Sequence, residues 1–246
     1  MTHKEVDQQL PTRPDLPSRH LAERQGTWLQ GARARLLRRA DIANRRHILE
    51  IGAGWGFTAE ELKRRSAGNV VALDLYASDS INGVEQVIGD AQHLPFADHS
   101  FDLVFSHHTL LWIEDPTLAI YEAHRVLKPG GVFVAIEPDY GGMMEMPMEF
   151  SVKDIWIAAL TRAGADPMIG RKLPAWLAQV GFRCETRFLD RLEDPHPARL
   201  ELLTELDLTP GELARVAANE QSASVPVVHL PYWLIVATKS GANRSE

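Results

Sequence analysis

The chain has 246 residues, 45% of them apolar and 24% charged, with 26 Lys and Arg against 33 Asp and Glu for a formal charge of −7. That balance excludes a disordered chain, which is poorer in apolar residues, and argues against a general nucleic-acid binder, which is usually basic. The single cysteine, Cys184, rules out an intramolecular disulfide and a multi-cysteine zinc site, and no apolar run approaches the roughly 18 residues of a membrane span. The first twenty residues are polar and carry no apolar signal segment, so the expected location is the cytoplasm.

Pro11, Pro14 and Pro17 sit among polar residues, and residues 1–20 read as an arm. From Leu21 to Ala43 the spacing of Leu21, Trp28, Ala32, Leu36 and Ala40 predicts one helix. Arg33, Arg35, Arg38, Arg39, Arg45 and Arg46 crowd the same region. They read either as a phosphate-binding strip or as a solvated face near a helix C-terminus, where the dipole favours positive charge; the acidic net charge favours the second.

Strands and helices then alternate. His47 to Gly52 reads as a strand, Thr58 to Ser66 as a helix with Leu62 buried, and Val70 to Leu73, Val84 to Ile88 and Leu103 to Ser106 as three more strands. Asp115 followed by Pro116 is an N-cap signature, and that helix runs to Leu127. Pro129-Gly130-Gly131 ends it, and Val132 to Ile136 is a fifth strand. This alternation predicts an α/β fold, a parallel sheet with helices on both faces. Beyond Pro138, helices are expected over Ser151–Ala163 and Lys172–Val180, ended by Gly164 and Gly181. Two late strands, Arg183–Leu189 and Tyr232–Thr238, are too far apart for a hairpin loop. Helices after Pro195 and after Thr209-Pro210 would fill the gap as an insert or lid.

The densest chemical signal is Glu50-Ile51-Gly52-Ala53-Gly54-Trp55-Gly56, where the first strand turns into the first helix of the alternating pattern. Glycines there allow close approach of backbone to a ligand, and the helix N-terminus favours negative charge. A dinucleotide loop wants its third glycine at the position held by Phe57. The acidic Glu50 would repel a pyrophosphate and suits a cationic ligand such as a sulfonium. The spacing therefore disfavours NAD and suits S-adenosylmethionine. Asp74 ends the second strand, where a carboxylate can accept from both ribose hydroxyls, and Asp90-Ala91 follows the third, where it can accept from an adenine amino group. These positions lie at strand C-terminal ends, where open α/β sheets bind ligands.

EIGAGWG, ALDL, GDAQHLPFADHSFDLV and RVLKPGG, in this order, resemble a class I S-adenosylmethionine-dependent methyltransferase of the type-11 group, related to quinone C-methyltransferases. The likeness covers residues 47–140. It implies a Rossmann-like sheet of seven strands, mostly parallel with the last antiparallel. It also implies that Glu50 and the loop of Gly52, Ala53, Gly54 and Gly56 hold the methionine portion, that Asp74 binds ribose with Leu75 against adenine, that Asp90 and Ala91 meet the adenine edge, and that the Ser106-His107 backbone faces the methyl group. Residues 1–46 would form an N-terminal arm and helix, 47–140 the cofactor core, and 141–246 the acceptor-side helices, helical insert and last two strands of one domain. The sequence departs from the family between the second and third strands, which only Leu75 to Gly83 join. A crossover needs roughly ten to twelve residues, so a stunted helix or single turn is expected at Ser78–Asn82.

Methyl transfer from a sulfonium is an in-line displacement in which positioning supplies much of the rate, and a base is needed only if the acceptor must lose a proton. Base candidates are His107, His108, Asp139 and Tyr140, with His107 best placed as the catalytic residue; the alternative is that His107 only packs against cofactor. A metal site from His107, His108, Glu137 and Asp139 has no supporting ligand spacing, and no metal is expected. Met143, Met144, Met146 and Met148 read equally as a greasy wall of the acceptor pocket or as packing under the next helix. Trp112, Trp156 and Trp176 read as core or cavity lining. The expected function is methyl transfer to a small, partly apolar acceptor by a monomer or homodimer, without nucleic acid. Non-methylation chemistry on the same fold and a catalytically silent cofactor-binding module are the alternatives.

Overall fold

The computed structural model describes residues 17–76, 80–189, 200–221 and 228–241. Its main sheet has seven strands: β1 (His47–Ile51), β2 (Asn69–Asp74), β3 (Val84–Ile88), β4 (Phe101–His107), β5 (Leu127–Pro138), β7 (Phe182–Phe188) and β9 (Tyr232–Lys239). They lie in the order β3-β2-β1-β4-β5-β9-β7. The pairs β1–β2, β2–β3, β1–β4 and β4–β5 are parallel. The last strand, β9, runs antiparallel to both β5 and β7. The strand order reverses between β1 and β4, so their C-terminal ends flank the crevice where this architecture holds ligands. The expected sheet is therefore present.

Side-chain alternation divides the core. Leu49, Ile51, Val104, Phe133 and Ala135 face a cluster shared with α4 (Pro116–Val126), α5 (Lys153–Arg162) and α6 (Ile169–Val180). Ile48, Leu103, Phe105, Val134 and Ile136 face the other side, with Leu36 and Leu37 of α2 (Gln30–Arg39) and Leu62 of α3 (Phe57–Arg65). Helices thus cover both faces.

The N-terminal helix differs from expectation. It is two helices, α1 (Arg19–Trp28) and α2, meeting at Leu29, followed by a 3₁₀ turn at Ile42–Asn44. The break has a packing cause: Leu21 of α1 belongs to the first cluster, while Leu29 and α2 belong to the second. One straight helix could not present an apolar stripe to both sides of the sheet. The side chain of Trp28 and residues 1–16 lie outside the described residues.

Smaller differences follow from packing. α4 ends at Val126, and β5 begins at once with Leu127 paired to Phe101, then takes a register shift before Val132 pairs with Leu103. α6 starts at Ile169 and carries Pro174 inside it. Gly170 is possible there and little else would be, because a Cβ would stand 2.5 Å from the Trp233 ring. Between β2 and β3, Ser80 and Ile81 are irregular and Asn82-Gly83 form a turn, with no helix in the described part; Ser78 and Asp79 lie outside it. The insert between β7 and β9 supplies α7 (Glu201–Glu205) and α8 (Pro210–Gln221); a helix starting directly after Pro195 falls outside the described residues. A two-stranded antiparallel pair, β6 (Met144–Glu145) with β8 (Val228–His229), was not foreseen. No helix among the described residues is long and apolar enough to cross a membrane.

Candidate active site

A cavity of about 640 Å³ opens at the C-terminal ends of β1, β2 and β4, within the usual volume of small-molecule sites. One end is lined by Glu50, Gly52, Ala53, Gly54, Asp74, Leu75, Asp90 and Ala91, bringing together most of the residues singled out in the sequence. The other end is lined by His107, His108, Leu111, Trp112, Ile113, Tyr140, Ala163 and Leu202.

The glycine loop is shaped as its composition requires. Gly52, Gly54 and Gly56 all have left-handed φ, between 57° and 83°, which a residue with a Cβ adopts only under strain. A Cβ on Gly52 would also stand 2.1 Å from Thr109 Cγ2. Gly56 does not line the cavity; it starts α3, beneath Ile81.

Asp74 fixes this loop. Its Oδ2 accepts from the Gly54 N–H at 2.8 Å and its Oδ1 from the Tyr76 N–H at 3.1 Å. A carboxylate has further lone pairs for two ribose hydroxyls. Asp90 accepts from the backbone and side-chain amides of Gln92, whose Oε1 in turn accepts from the Asp115 N–H. Leu75 is 53% exposed at the cavity rim, and Ala91 is buried.

Glu50 is buried, and its Oε2 has no hydrogen-bond partner. Burial holds its pKa well above the ordinary carboxylate range, opposed by Arg33 and reinforced by Asp74 and Glu61. An unpaired carboxyl beside a cavity fits a cationic ligand group, whose charge would favour its ionised form. Arg33 does not lie on a solvated face. It is 3% exposed and pairs with Glu61 of α3 through Nε at 2.6 Å, while its Nη2 donates to the Gly26 carbonyl. Arg45 donates to the Ala40 and Asp102 carbonyls, and Arg35, Arg38 and Arg39 are exposed.

His107 and His108 both line the cavity, their rings stacked with centroids 4.3 Å apart. Nε2 of each ring is buried without a hydrogen-bond partner among the described residues. Burial pushes His107 well below the ordinary imidazole range, helped by His108 and Arg33, and pushes His108 down to about 3, helped by Arg33. Both rings are therefore neutral near pH 7. Ser106 is buried beneath the site and outside the cavity lining.

The other base candidates fare differently. Asp139 is occupied, accepting from Arg171 Nε at 2.7 Å, Trp233 Nε1 at 3.4 Å and the Gly142 N–H. Tyr140 lines the cavity, stacks on Trp156 and is held protonated by burial. The methionine cluster is not a cavity wall. Met143 is in the core, and Met144, Met146 and Met148 are exposed, because β6 carries this stretch to the surface. Trp112 lines the cavity, whereas Trp156 and Trp176 pack against the core. Among the described residues no three His, Cys, Asp or Glu side chains are grouped to hold a metal ion.

Sequence reasoning missed the roof. Pro17 and, on α1, Ala22, Gln25 and Gly26 line the cavity beside the glycine loop. Trp55 Nε1 donates to the Pro17 carbonyl at 3.0 Å, and Arg19 lies over the Trp55 and Phe57 rings. The N-terminal segment is bonded to α7 as well: Ser18 donates through N and Oγ to Glu205, and Arg24 pairs with Glu201. Nothing in the sequence links residues this far apart. Glu137 was considered only as a metal ligand, and its hydrogen bonds to the turn after β4 were not foreseen.

A model described as a methyltransferase domain matches residues 49–135. The mitochondrial arginine-hydroxylase NDUFAF5 of Rattus norvegicus is 30% identical over 170 residues, covering 64% of this chain and 48% of that protein. The chloroplastic 2-methyl-6-phytyl-1,4-hydroquinone methyltransferase 2 of Oryza sativa subsp. japonica is 31% identical over 172 residues, covering 63% and 49%. The chain thus spans about half the length of these curated relatives. Among solved structures, the [4+2]-cyclase SpnF superposes with a TM-score of 0.57 at 22% identity, covering 83% of this chain and 82% of that one, a likeness of fold. Residues 49–135 therefore match a methyltransferase domain, carried on a seven-stranded sheet whose last strand is antiparallel.

Proposed function

We propose that this protein transfers a methyl group from S-adenosylmethionine to a small, partly apolar acceptor. The observation that carries the reading is the division of one cavity: an acidic, glycine-rich end and an aromatic and aliphatic end. The cofactor supplies a methyl group already activated on sulfur. Glu50 would receive a cationic group of the cofactor, Asp74 the ribose hydroxyls, and Asp90 with Ala91 the adenine edge. Trp112, Tyr140 and Leu202 would exclude water and orient the acceptor, and orientation supplies most of the rate in an in-line displacement. Where the acceptor is a hydroxyl, neutral His107 would take its proton.

Among the described residues no lysine or arginine lines the cavity, and burial keeps its two histidines neutral, which suits a neutral acceptor over a phosphorylated one. The net charge of −7 likewise disfavours nucleic acid. A cytoplasmic site of action belongs to the same reading.

Incubation with methyl-labelled S-adenosylmethionine and a panel of phenols, hydroquinones and amines tests this. Label appearing in an acceptor together with S-adenosylhomocysteine supports it; absence of cofactor binding by calorimetry overturns it. The second reading is different chemistry in the same cavity, favoured by a relative named as a hydroxylase and a fold neighbour named as a cyclase. Turnover without release of S-adenosylhomocysteine would select it. A catalytically silent module is a third outcome, marked by cofactor binding without turnover and by cellular function that survives Asp74→Ala.

A further inference from the structure

We propose that Glu137 is the positioning residue of the acceptor side: its carboxyl group fixes the turn that presents His107 and His108 to the cavity. Glu137 lies near the end of β5, is fully buried and does not line the cavity. Its Oε1 accepts from Ser106 Oγ at 3.2 Å, from the Thr109 N–H at 3.0 Å and from the Leu110 N–H at 3.0 Å. These donors bracket the two histidines, one before the pair and two after it.

The turn needs such a hold. His108 has φ 53°, a left-handed conformation uncommon for a residue with a side chain. The His108 N–H donates to the Ile136 carbonyl, one residue before Glu137, and Thr109 Oγ1 contacts the Gly52 carbonyl. The end of β5, the histidine turn and the glycine loop are therefore one connected assembly. One oxygen serves three donors, and an apolar side chain would leave all of them buried and unpaired, at a cost for each. Glu137 does not line the cavity, so it reaches a ligand only through the residues of this turn.

The inference rests on the methyl-transfer reading only for the identity of the ligand that the histidines meet. Its test needs no acceptor. Glu137→Gln keeps the accepting oxygen without the charge, whereas Glu137→Asp keeps the charge and withdraws the oxygen by one methylene. Diethyl pyrocarbonate modification of His107 and His108 is followed by peptide mass spectrometry, with the ¹⁵N imidazole signals as a second readout. Glu137→Gln should stay within about twofold of the parent chain, and Glu137→Asp and Glu137→Ala should change the rate about tenfold, the equivalent of one lost hydrogen bond. The reverse pattern, rescue by Asp and not by Gln, overturns the proposal, since it would mean that the charge acts through its field. Unchanged histidines in all three variants overturn it as well. Should the Asp and Ala variants fail to fold, Ser106→Ala removes one donor while keeping the carboxyl group; a rate change of about threefold supports the proposal, and none overturns it. S-adenosylhomocysteine binding, measured separately by calorimetry, reports on the cofactor reading, so the two can fail independently.

Discussion

The Gly54 N–H points into the Asp74 carboxylate at 2.8 Å, so the residue that ends β2 also sets the shape of the loop that follows β1. One side chain thus prepares two halves of the same site. Asp74→Ala should weaken S-adenosylhomocysteine binding about 10- to 100-fold, the range for losing hydrogen bonds to a charged group. Calorimetry measures it, and Asp74→Asn should recover part of the loss.

The buried carboxyls and histidines make opposite contributions to stability as pH changes. Burial raises Glu137 from 4.5 to about 7, so the folded chain keeps a proton that the unfolded chain has released. Its contribution is full below pH 4.5 and is lost as pH rises toward 7, by up to about 3 kcal/mol. His108, lowered from 6.5 to about 3, gives stability that rises with pH over that interval and cancels the fall between pH 4.5 and 6.5. Glu137→Gln removes the falling part alone. Its stability relative to the parent chain, from urea unfolding, should therefore increase between about pH 5 and about pH 7.5.

Arg33 and Glu61 form an ion pair with side chains only 4% and 3% exposed. Removing one partner leaves the other charge buried. Glu61→Gln should cost about 3–5 kcal/mol in denaturant unfolding and Arg33→Met less, because Arg65 stays bonded to Glu61; replacing both Arg33 and Glu61 with apolar residues of similar volume should restore most of the Glu61→Gln loss. Additive losses in the double variant would show that the pair is not coupled.

Glu205 receives both hydrogen bonds by which Ser18 joins α7 to the N-terminal segment. Glu205→Ala loosens the roof without touching the cavity floor. Dissociation of S-adenosylhomocysteine should speed up about fivefold in stopped-flow measurements, with little change in association.

Alternation of apolar strands with amphipathic helices made the sheet legible, and the carboxyls at strand ends marked one part of the cavity lining. Local signals sufficed because β1, β2 and β4 each deliver their residues where the strand stops. The kink at Leu29 was not legible, since the 3.6-residue period continues across it and only packing on two faces of the sheet demands it. Arg33 read as a surface residue because its partner, Glu61, is on another helix. The methionines misled for a related reason: β6 pairs with β8, more than eighty residues later in the chain, and that pairing turns Met144 outward.

The short link between β2 and β3 has a practical consequence. Leu75 lines the cavity while 53% exposed, and the described part of the link holds no helix to cover it. A cofactor analogue enlarged on the purine face that Leu75 would meet should therefore be tolerated, whereas one enlarged on the exocyclic amine would collide with Asp90 and Ala91.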